Sequence, residues 1–292
     1  MSSGEFANFL TRLGHRVIET ESGAWYDASR FFLLGIPTHE LRTPGENEIR
    51  QLWRGRLLGV RYTTPLGAPG KLSYQIACDD SHYGLEGLSA NTRSKVRRGL
   101  KRCDVRRITA KEVAEHGTAA QRDTLTRQGR ETLLAGTNWH RFWEAVSSSN
   151  GMEIWSAWVD DKLASFLVTV DFGDTVEFML ARSRDDCLHA YPNNALLFHV
   201  AEEMLVHRGL REITFGIESL EPVGPLDQFK FAMGFRTKPL RQRVLFHPVV
   251  SLALRLAPIR GILRRWTETR DQSHVFWRKA AGLLRFAEEA GL

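Results

Sequence analysis

A few polar side chains follow predicted strand ends, where active sites commonly open. Glu218 lies two residues after the end of a predicted strand over residues 212–216, and ligands bind outside the carboxyl ends of strands in many sheets. A carboxylate at this position could act as a general base, directly or through a water molecule. The alternative is an exposed loop carboxylate without a role. Gly216 would allow a substrate to approach the backbone closely, because glycine has no Cβ.

A second cluster of polar side chains lies upstream, at residues 189–194, just before the predicted helix over residues 195–208. Tyr191 could protonate a leaving group, and His189 could act as a base, a common role for histidine near neutral pH. Asn193 and Asn194 could orient a carbonyl or phosphate group of a donor. A helix cap explains at least one of the two asparagines equally well.

Two segments are strongly basic, and together they hold 15 basic and 3 acidic residues, so the rest of the chain carries a net charge of −6. Residues 91–107 contain eight Lys or Arg and one acid, Asp104. This density favours contact with phosphate groups of coenzyme A, tRNA or anionic lipids over a merely solvated helix face. Residues 251–281 interleave seven basic residues with Leu, Ile and Trp. They predict either an interfacial helix or a helix packed on the body, kinked at Pro258.

Composition excludes several classes of protein. The chain has 292 residues, 42% of them hydrophobic, and a net charge of +6, which excludes disordered and low-complexity chains. Its apolar stretches are far shorter than the roughly 20 residues of a membrane span, and residues 1–10 do not resemble a signal peptide. Three scattered cysteines fit a reducing cytoplasm. Because His199 and His207 lack i, i+4 spacing, we expect no metal site.

The order of predicted elements indicates an α+β fold. Residues 25–34, 57–63 and 72–78 are β-rich, and a basic helix, weakened by Gly99, follows residue 85. The remaining predicted elements are a helix over residues 124–146, strands over 153–159, 163–170 and 175–181, a helix over 195–208 that ends at Gly209, a strand over 212–216, a short helix over 227–233 and a strand over 244–246. The strands over 153–159, 163–170 and 175–181 would form an antiparallel meander, and the helix over 195–208 would be a crossover in a sheet of mixed direction.

Four stretches carry a family resemblance by their order and spacing. They are residues 88–101, 160–165, 191–197 and 229–235, the last of which reads FKFAMGF. Together they resemble the GNAT acyltransferase fold, in its Fem-type, BioF2-like branch of N-acyltransferases. Ordinary members carry a glycine-rich loop before the long helix, whereas residues 190–195 contain no glycine. The helix N-terminus would still offer free N–H groups to a phosphate.

The resemblance places Lys230 in the cleft, and the positions described above suggest roles for Glu218 and Tyr191 in the same reaction. Lys230 would stabilise the oxyanion or a donor phosphate, Glu218 would assist deprotonation of the amine, and Tyr191 would protonate the leaving group. The donor would be held by the remaining candidates: Asn193, Asn194, Ala195, Gly216, Phe229, Arg97 and Arg98.

We therefore predict a GNAT-like mixed sheet flanked by helices, preceded by a partial second GNAT-like unit and followed by a helical tail. The predicted domains are residues 1–119, 120–248 and 249–292. The predicted reaction moves an acyl or aminoacyl group from acyl-CoA, or alternatively from aminoacyl-tRNA, to an amine, with cell-envelope or glycan precursors as the implied acceptor class. Candidate partners are tRNA and the inner face of an anionic membrane, reached through residues 251–281. The alternative is a non-catalytic membrane-surface or nucleic-acid-binding protein on a decayed GNAT scaffold.

Overall fold

The protein forms two compact units, each combining helices and strands. The computed structural model describes residues 1–29, 31–53, 57–130, 137–220, 224–255, 265, 281–285 and 288. The first unit comprises Met1–Glu5, Ile76–Gly216 and Gly224–Thr237, and the second comprises Phe6–Gln75, Ile217–Val223 and Lys238–Leu292. The domain boundary predicted after residue 119 lies inside a helix of the first unit, so these units divide the chain differently.

The elements follow one another along the chain as α1 (Ser3–Arg12), β1 (Val17–Thr20), β2 (Gly23–Ser29), β3 (Phe32–Ile36), α2 (Glu46–Leu52), β4 (Gly59–Thr64), β5 (Lys71–Cys78), α3 (Ala90–Arg102), β6 (Asp104–Arg107), α4 (Ala110–His116), α5 (Thr118–Arg127), α6 (Thr137–Ser147), β7 (Met152–Val159), β8 (Lys162–Asp171), β9 (Thr175–Ser183), α7 (Pro192–Glu202), β10 (Glu212–Ile217), α8 (Gly224–Ala232), β11 (Arg236–Phe246) and α9 (Pro248–Arg255). A π-helical turn, Glu203–His207, extends α7.

Strands of the second unit follow the order β1–β2–β3–β4–β11–β5. Neighbours in this series are antiparallel in the pairs β1/β2, β2/β3 and β4/β11, whereas β3 and β4 run parallel. Trp25 and Tyr62 meet edge to face at 5.5 Å in the core of this unit, packed with Leu33, Leu52 and Val60. Buried aromatic pairs of this kind contribute beyond the area that they bury.

Strands of the first unit follow the order β5–β10–β9–β8–β7–β6. The predicted meander is confirmed, because β7, β8 and β9 pair antiparallel in sequence. The predicted crossover is confirmed as well, since β10 lies parallel to β9 after α7. The unit is therefore an α+β structure with a sheet of mixed direction.

Helices cover both faces of this sheet. On one face, the face of α4 to α6, Trp143 of α6 contacts the buried Phe166 of β8 at 5.6 Å. On the other face, His199 of α7 contacts Trp155 of β7 at 5.8 Å. The single helix predicted over residues 124–146 is wrong, because α5 ends at Arg127 and α6 begins at Thr137.

The basic segment at residues 91–107 is two elements rather than one. Helix α3 ends at Arg102, and the last residues form the edge strand β6. Gly99 does not interrupt the helix; it lets α3 pack closely on α7. A Cβ at this position would lie 2.7 Å from the carbonyl oxygen of Tyr191 and 3.0 Å from the Cβ of Ala195. Glycine is therefore required by the approach of the two helices.

The C-terminal elements also differ from expectation. Strand β11 is far longer than the predicted strand over residues 244–246. Of the predicted basic tail at residues 251–281, the structure describes 251–255 in α9 together with residues 265 and 281, and the other residues lie outside the described part of the chain. None of the helices formed by the described residues combines the length and the apolar character needed to cross a bilayer.

The close contact at Gly99 gives a stability prediction. Replacing an ordinary helical glycine by alanine stabilises a helix by up to about 1 kcal/mol. For Gly99→Ala we expect the opposite, a loss of about 1–3 kcal/mol in the free energy of unfolding, because the new methyl group overlaps backbone atoms of α7. Urea unfolding measures the change.

Gly4→Ala in α1 is the matched control, since a Cβ there meets no atom within 4 Å. A Gly99→Ala variant at least as stable as Gly4→Ala would show that α3 can move away from α7 without cost.

Candidate functional site

A wedge opens between the two parallel strands of the first unit. The register of β9 and β10 contains three pairs and ends at Glu177 and Thr214. Beyond this point β9 continues to Ser183 alongside β8. Strand β10 turns at Gly216, which has a φ of 79° and donates its N–H to the Thr214 hydroxyl at 2.8 Å. We call the space between residues 178–183 and residues 215–216 the wedge.

A β-bulge in β9 determines which side chains face each side of the wedge. Val168 pairs with Leu180 and Thr169 pairs with Phe178, so Met179 is the extra residue. A bulge of this kind shifts the alternation of side chains along the strand. Glu177, Leu180 and Arg182 consequently share the face covered by α4 to α6. Phe178 lies on the opposite face.

The opposite face is aromatic. Phe178 contacts Phe215 of β10 at 5.3 Å, and Phe215 contacts Phe235 at 4.8 Å. This face carries α7 and α8, so the two sides of the wedge differ in chemistry: a carboxyl and a guanidinium group on one side, and aromatic rings on the other.

Glu177 lies at the closed end of the wedge, in the last pair before the strands separate. Burial of its carboxyl group raises its pKa to about 7, because removing water disfavours the charged form. A carboxyl group that changes charge near neutral pH in a cleft is a candidate acid or base. Sequence reasoning missed Glu177; the available signal was the single acid among the residues of β9, which read TVEFMLARS.

The open end of the wedge is fixed by hydrogen bonds to Ser183, the last residue of β9. Its carbonyl oxygen accepts from the Thr124 hydroxyl at 3.1 Å and from the Arg127 guanidinium at 3.2 Å. Its hydroxyl accepts from Arg127 Nη2 at 2.9 Å and from the Asn193 amide at 3.1 Å. Arg127 also pairs with Asp185. Side chains of α5 and α7 thus hold this strand end in place.

The N-terminus of α7 begins differently from the expectation. Tyr191 is the N-cap residue, in the left-handed conformation (φ 61°, ψ 42°), and Pro192 occupies the first turn. The prediction that Asn193 or Asn194 caps the helix is wrong, because no side chain makes a cap hydrogen bond. Asn194 instead directs its amide to the sulfur of Met233 at 3.4 Å. The turn is thus made by Tyr191, without the family's glycines.

Helix α3 supports this turn with basic side chains. The Arg98 guanidinium lies 4.7 Å from the centre of the Tyr191 ring, a cation–π contact. Arg102 donates to the carbonyl oxygen of His189 at 3.1 Å. Ala195, at the other side of the turn, packs on Gly99.

Five cations of α3 lack an acidic partner. In the part of the chain that the structure describes, no carboxylate lies within 4 Å of these side chains: Lys95, Arg97, Arg98, Lys101 and Arg102. Arg97 and Lys101 are exposed. The surface beside the α7 N-terminus is therefore strongly positive, as a site for phosphate groups would be.

Helix α8 carries Lys230 on the aromatic side of the wedge. Its ammonium group lies 5.1 Å from the centre of the Phe215 ring and 2.9 Å from Asp227 Oδ1. The end of α8 is anchored by Tyr83, whose hydroxyl donates to the carbonyl oxygen of Met233 at 2.8 Å. Burial raises the pKa of this tyrosine, so it stays a donor. Phe229 is half-buried beside Lys230.

Glu218 belongs to the second unit and takes part in a hydrogen-bond network there. Its carboxylate accepts from the Ser73 hydroxyl at 2.6 Å and lies 3.9 Å from Lys71 Nζ. Its carbonyl oxygen accepts from Arg61 at 2.8 Å and from Gln242 at 3.3 Å. These contacts are enough to account for a structural role of Glu218.

The other nine predicted site residues belong to the first unit, and the structure links several of them: Arg98 contacts Tyr191, Asn194 reaches the end of α8, and Gly216 forms one side of the wedge. Among the described residues, no three His, Cys, Asp or Glu side chains are grouped as a metal site.

Comparisons with known proteins agree with this geometry. Residues 89–230 match a family model described as an acetyltransferase (GNAT) domain. The solved structure of FemX superposes with a TM-score of 0.58 at 10% identity, over 87% of this chain and 93% of that one. L-PGS from Bacillus licheniformis superposes with a TM-score of 0.54 at 12% identity, over 89% and 92% of the two chains. A search of curated protein sequences gave no match.

Identities this low show a shared fold. The region that matches the family model begins one residue before α3 and ends at Lys230, so it includes the basic helix, the wedge and the α7 N-terminus. The resemblance found in the sequence is therefore confirmed. Residues 89–230 match the GNAT acetyltransferase domain model, and 87% of the chain shares its fold with FemX.

Proposed function

We propose that the protein is an N-acyltransferase in which Glu177 is the general base. An amine is protonated at neutral pH and must lose a proton before it can attack a carbonyl carbon. A carboxyl group with a pKa of about 7 is matched to this task, because it is partly ionised yet basic enough to accept the proton. Its position at the closed end of the wedge is the observation that carries the proposal.

The acyl donor would lie on the opposite side of the wedge, the side of α7 and α8. The cations of α3 would bind its phosphates beside the N-terminus of α7. The expectation of several free N–H groups at this helix end is wrong, because Pro192 has no N–H and Asn194 and Ala195 donate theirs to the carbonyl oxygen of Tyr191. Acyl-CoA is the donor that we favour, and aminoacyl-tRNA is the alternative. Both present phosphate groups, and both leave through an oxygen or sulfur atom that Tyr191 could protonate.

Oxyanion stabilisation would come from two groups beside the wedge. Met179, the extra residue of the β9 bulge, lies outside the regular ladder, which makes its backbone N–H a candidate donor. Lys230 is the second candidate. Because its ammonium group is paired with Asp227, it would have to exchange this partner for the donor.

The acceptor would be an amine, with cell-envelope or glycan precursors as the class suggested by the sequence resemblance. A coenzyme A donor implies a cytoplasmic reaction. Membrane contact through residues 251–281 stays a prediction, because most of that segment lies outside the described residues.

The proposed base can be tested by removing its charge. We expect Glu177→Gln to lower kcat/KM by about 10²–10⁴-fold, the usual contribution of a general base. For the unaltered protein, kcat/KM should rise with pH up to about 7 and then level off, and the variant should lose this inflection. The rate of acyl transfer to a generic primary amine, followed at several pH values, gives both kcat/KM and its pH dependence.

Glu218→Gln is the comparison variant, since Glu218 is the other candidate base. We expect little change in kcat/KM for it. A large loss in Glu218→Gln together with unchanged kinetics in Glu177→Gln would reverse the assignment.

The raised pKa of Glu177 also predicts a stability effect that is independent of activity. The folded protein holds this proton up to about pH 7, whereas the unfolded chain releases it near 4.5. Stability is therefore full below about pH 4.5 and falls as the pH rises through 7, by up to about 3 kcal/mol. Glu177→Gln should lack this loss and gain stability relative to the unaltered protein between pH 5 and pH 8. A constant difference across this range would contradict burial of the carboxylate.

The cations of α3 give a test of the donor. We expect Arg97→Gln combined with Lys101→Gln to raise the KM for the donor several-fold with little change in kcat, because these side chains would bind phosphates in the ground state. A control variant, Lys111→Gln with Arg122→Gln, removes two cations that already pair with carboxylates.

The salt dependence of binding separates the two donors. Loss of two contacts to tRNA should reduce the slope of log K against log salt by about 1–2. Coenzyme A, with few phosphates, should show a weak slope in both proteins. Equal KM values for the test and control variants would exclude α3 from donor binding.

A further inference from the structure

Arg182 lines the wedge without an acidic partner. Its Nε donates to Gln121 Oε1 at 2.6 Å and its Nη1 donates to the carbonyl oxygen of Ala181 at 2.8 Å. Nη2 makes no hydrogen bond within the described residues, and no carboxylate of that part of the chain lies within 4 Å of the guanidinium group. One end of the guanidinium fork is therefore left for another acceptor.

The electrostatic surroundings of Arg182 make its charge, which has no acidic partner among the described residues, unfavourable for the stability of the folded state. Burial, together with the positive charge of Arg130, lowers the pKa of Arg182 to about 10. Arg184, two residues further along the chain, is by contrast neutralised by Asp186 at 2.9 Å. A partly dehydrated cation beside a second cation destabilises the folded state unless an anion joins them. The chain supplies no such anion within the described residues, so a bound ligand is the remaining source of one.

The position of Arg182 shows which side of the wedge such a ligand would occupy. Arg182 pairs with Phe166 of β8 and Glu177 pairs with Val170, and both side chains share the face covered by α4 to α6. Phe166 and Val170 are four positions apart on β8, which corresponds to about 13 Å along a strand. Leu180 lies between the two polar groups on the same face. Along the wedge, the proposed base Glu177 is thus followed by the apolar side chain of Leu180 and then by the cation of Arg182.

We infer that Arg182 binds an anionic group of the amine acceptor, a carboxylate or phosphate that an alkyl segment separates from the reacting amine. The inference rests on the proposed function, because it takes Glu177 as the group that meets the amine. Guanidinium binds both kinds of oxyanion through paired N–H donors. Leu180 would contact the alkyl segment. The donor phosphates would lie on the other side of the wedge, beside α3 and α7.

Binding without a donor tests the inference separately from catalysis. Isothermal titration would compare 6-aminohexanoate, 6-aminohexyl phosphate and n-hexylamine. We expect 6-aminohexanoate or 6-aminohexyl phosphate to bind at least tenfold more tightly than hexylamine. Whichever of the two binds more tightly identifies the acidic group of the acceptor as a carboxylate or a phosphate. No preference for either anion would overturn the inference.

Two substitutions and one control assign the preference to Arg182. Arg182→Met should abolish the preference and leave the melting temperature unchanged or higher, since it removes an unpaired charge. Arg182→Lys should keep part of the preference for the anionic amines. Arg122→Gln, which removes a neighbouring exposed cation of α5, should leave it intact. A lower melting temperature in both Arg182 variants with an unchanged preference would mean that Arg182 only supports Gln121 and Ala181.

A donor fragment distinguishes the two sides of the wedge. Binding of 3′,5′-ADP should be the same in Arg182→Met and in the unaltered protein. Weaker 3′,5′-ADP binding in that variant would place Arg182 on the donor side and overturn the inference. If Glu177→Gln keeps full activity while Arg182→Met loses the anion preference, the proposed base fails and the anion site stands.

Discussion

The separation of β9 from β10 after three residue pairs is the constraint on which the rest of the first unit depends. Parallel strands that part expose N–H and C=O groups, and each such group must find another partner. The structure supplies them locally. Gly216 turns in a left-handed conformation and donates to Thr214, while Thr124 and Arg127 bind the end of β9 at Ser183. The wedge is therefore a stabilised opening in the sheet.

The bulge at Met179 gives the wedge its chemical asymmetry. A shift of one residue in a strand moves each following side chain to the other face. Without the extra residue, Leu180 and Arg182 would face α7 and α8, on the side opposite Glu177. The Arg182 guanidinium would then lie on the side of the α3 cations, where like charges repel one another. The bulge thus keeps Leu180 and Arg182 on the same face as Glu177.

Much of this architecture could be predicted from the sequence. Period-2 alternation and turn residues located the meander, and apolar spacing located α7 and α8. The break between α5 and α6 escaped prediction, because the apolar pattern around Trp139 and Trp143 continues plausibly through residues 128–136. The division of the basic run into α3 and β6 was missed for a related reason: arginine is compatible with a helix and with an edge strand.

The site was harder to predict than the fold. Lys230 and Tyr191 could be named because they lie in recognisable stretches of sequence. Glu177 and Arg182 are isolated charges in a strand, where alternation places charged side chains towards solvent by default. Their importance comes from a bulge and from the separation of two strands. Neither feature leaves a mark in the sequence, because the residues at the bulge are ordinary apolar ones.

Three features of the first unit that lower the stability of the folded state lie in the wedge or beside it. Tyr191 holds a left-handed conformation at a non-glycine position, which costs about 1–2 kcal/mol. Glu177 has a dehydrated carboxyl group, and Arg182 has a guanidinium group without an acid among the described residues. Packing of α3 on α7 through Gly99 and the anchoring of α8 by Tyr83 offset such costs at the margins of the site. Selection for stability alone would remove these three features, and their presence in or beside the wedge supports the proposed binding and deprotonation of a substrate.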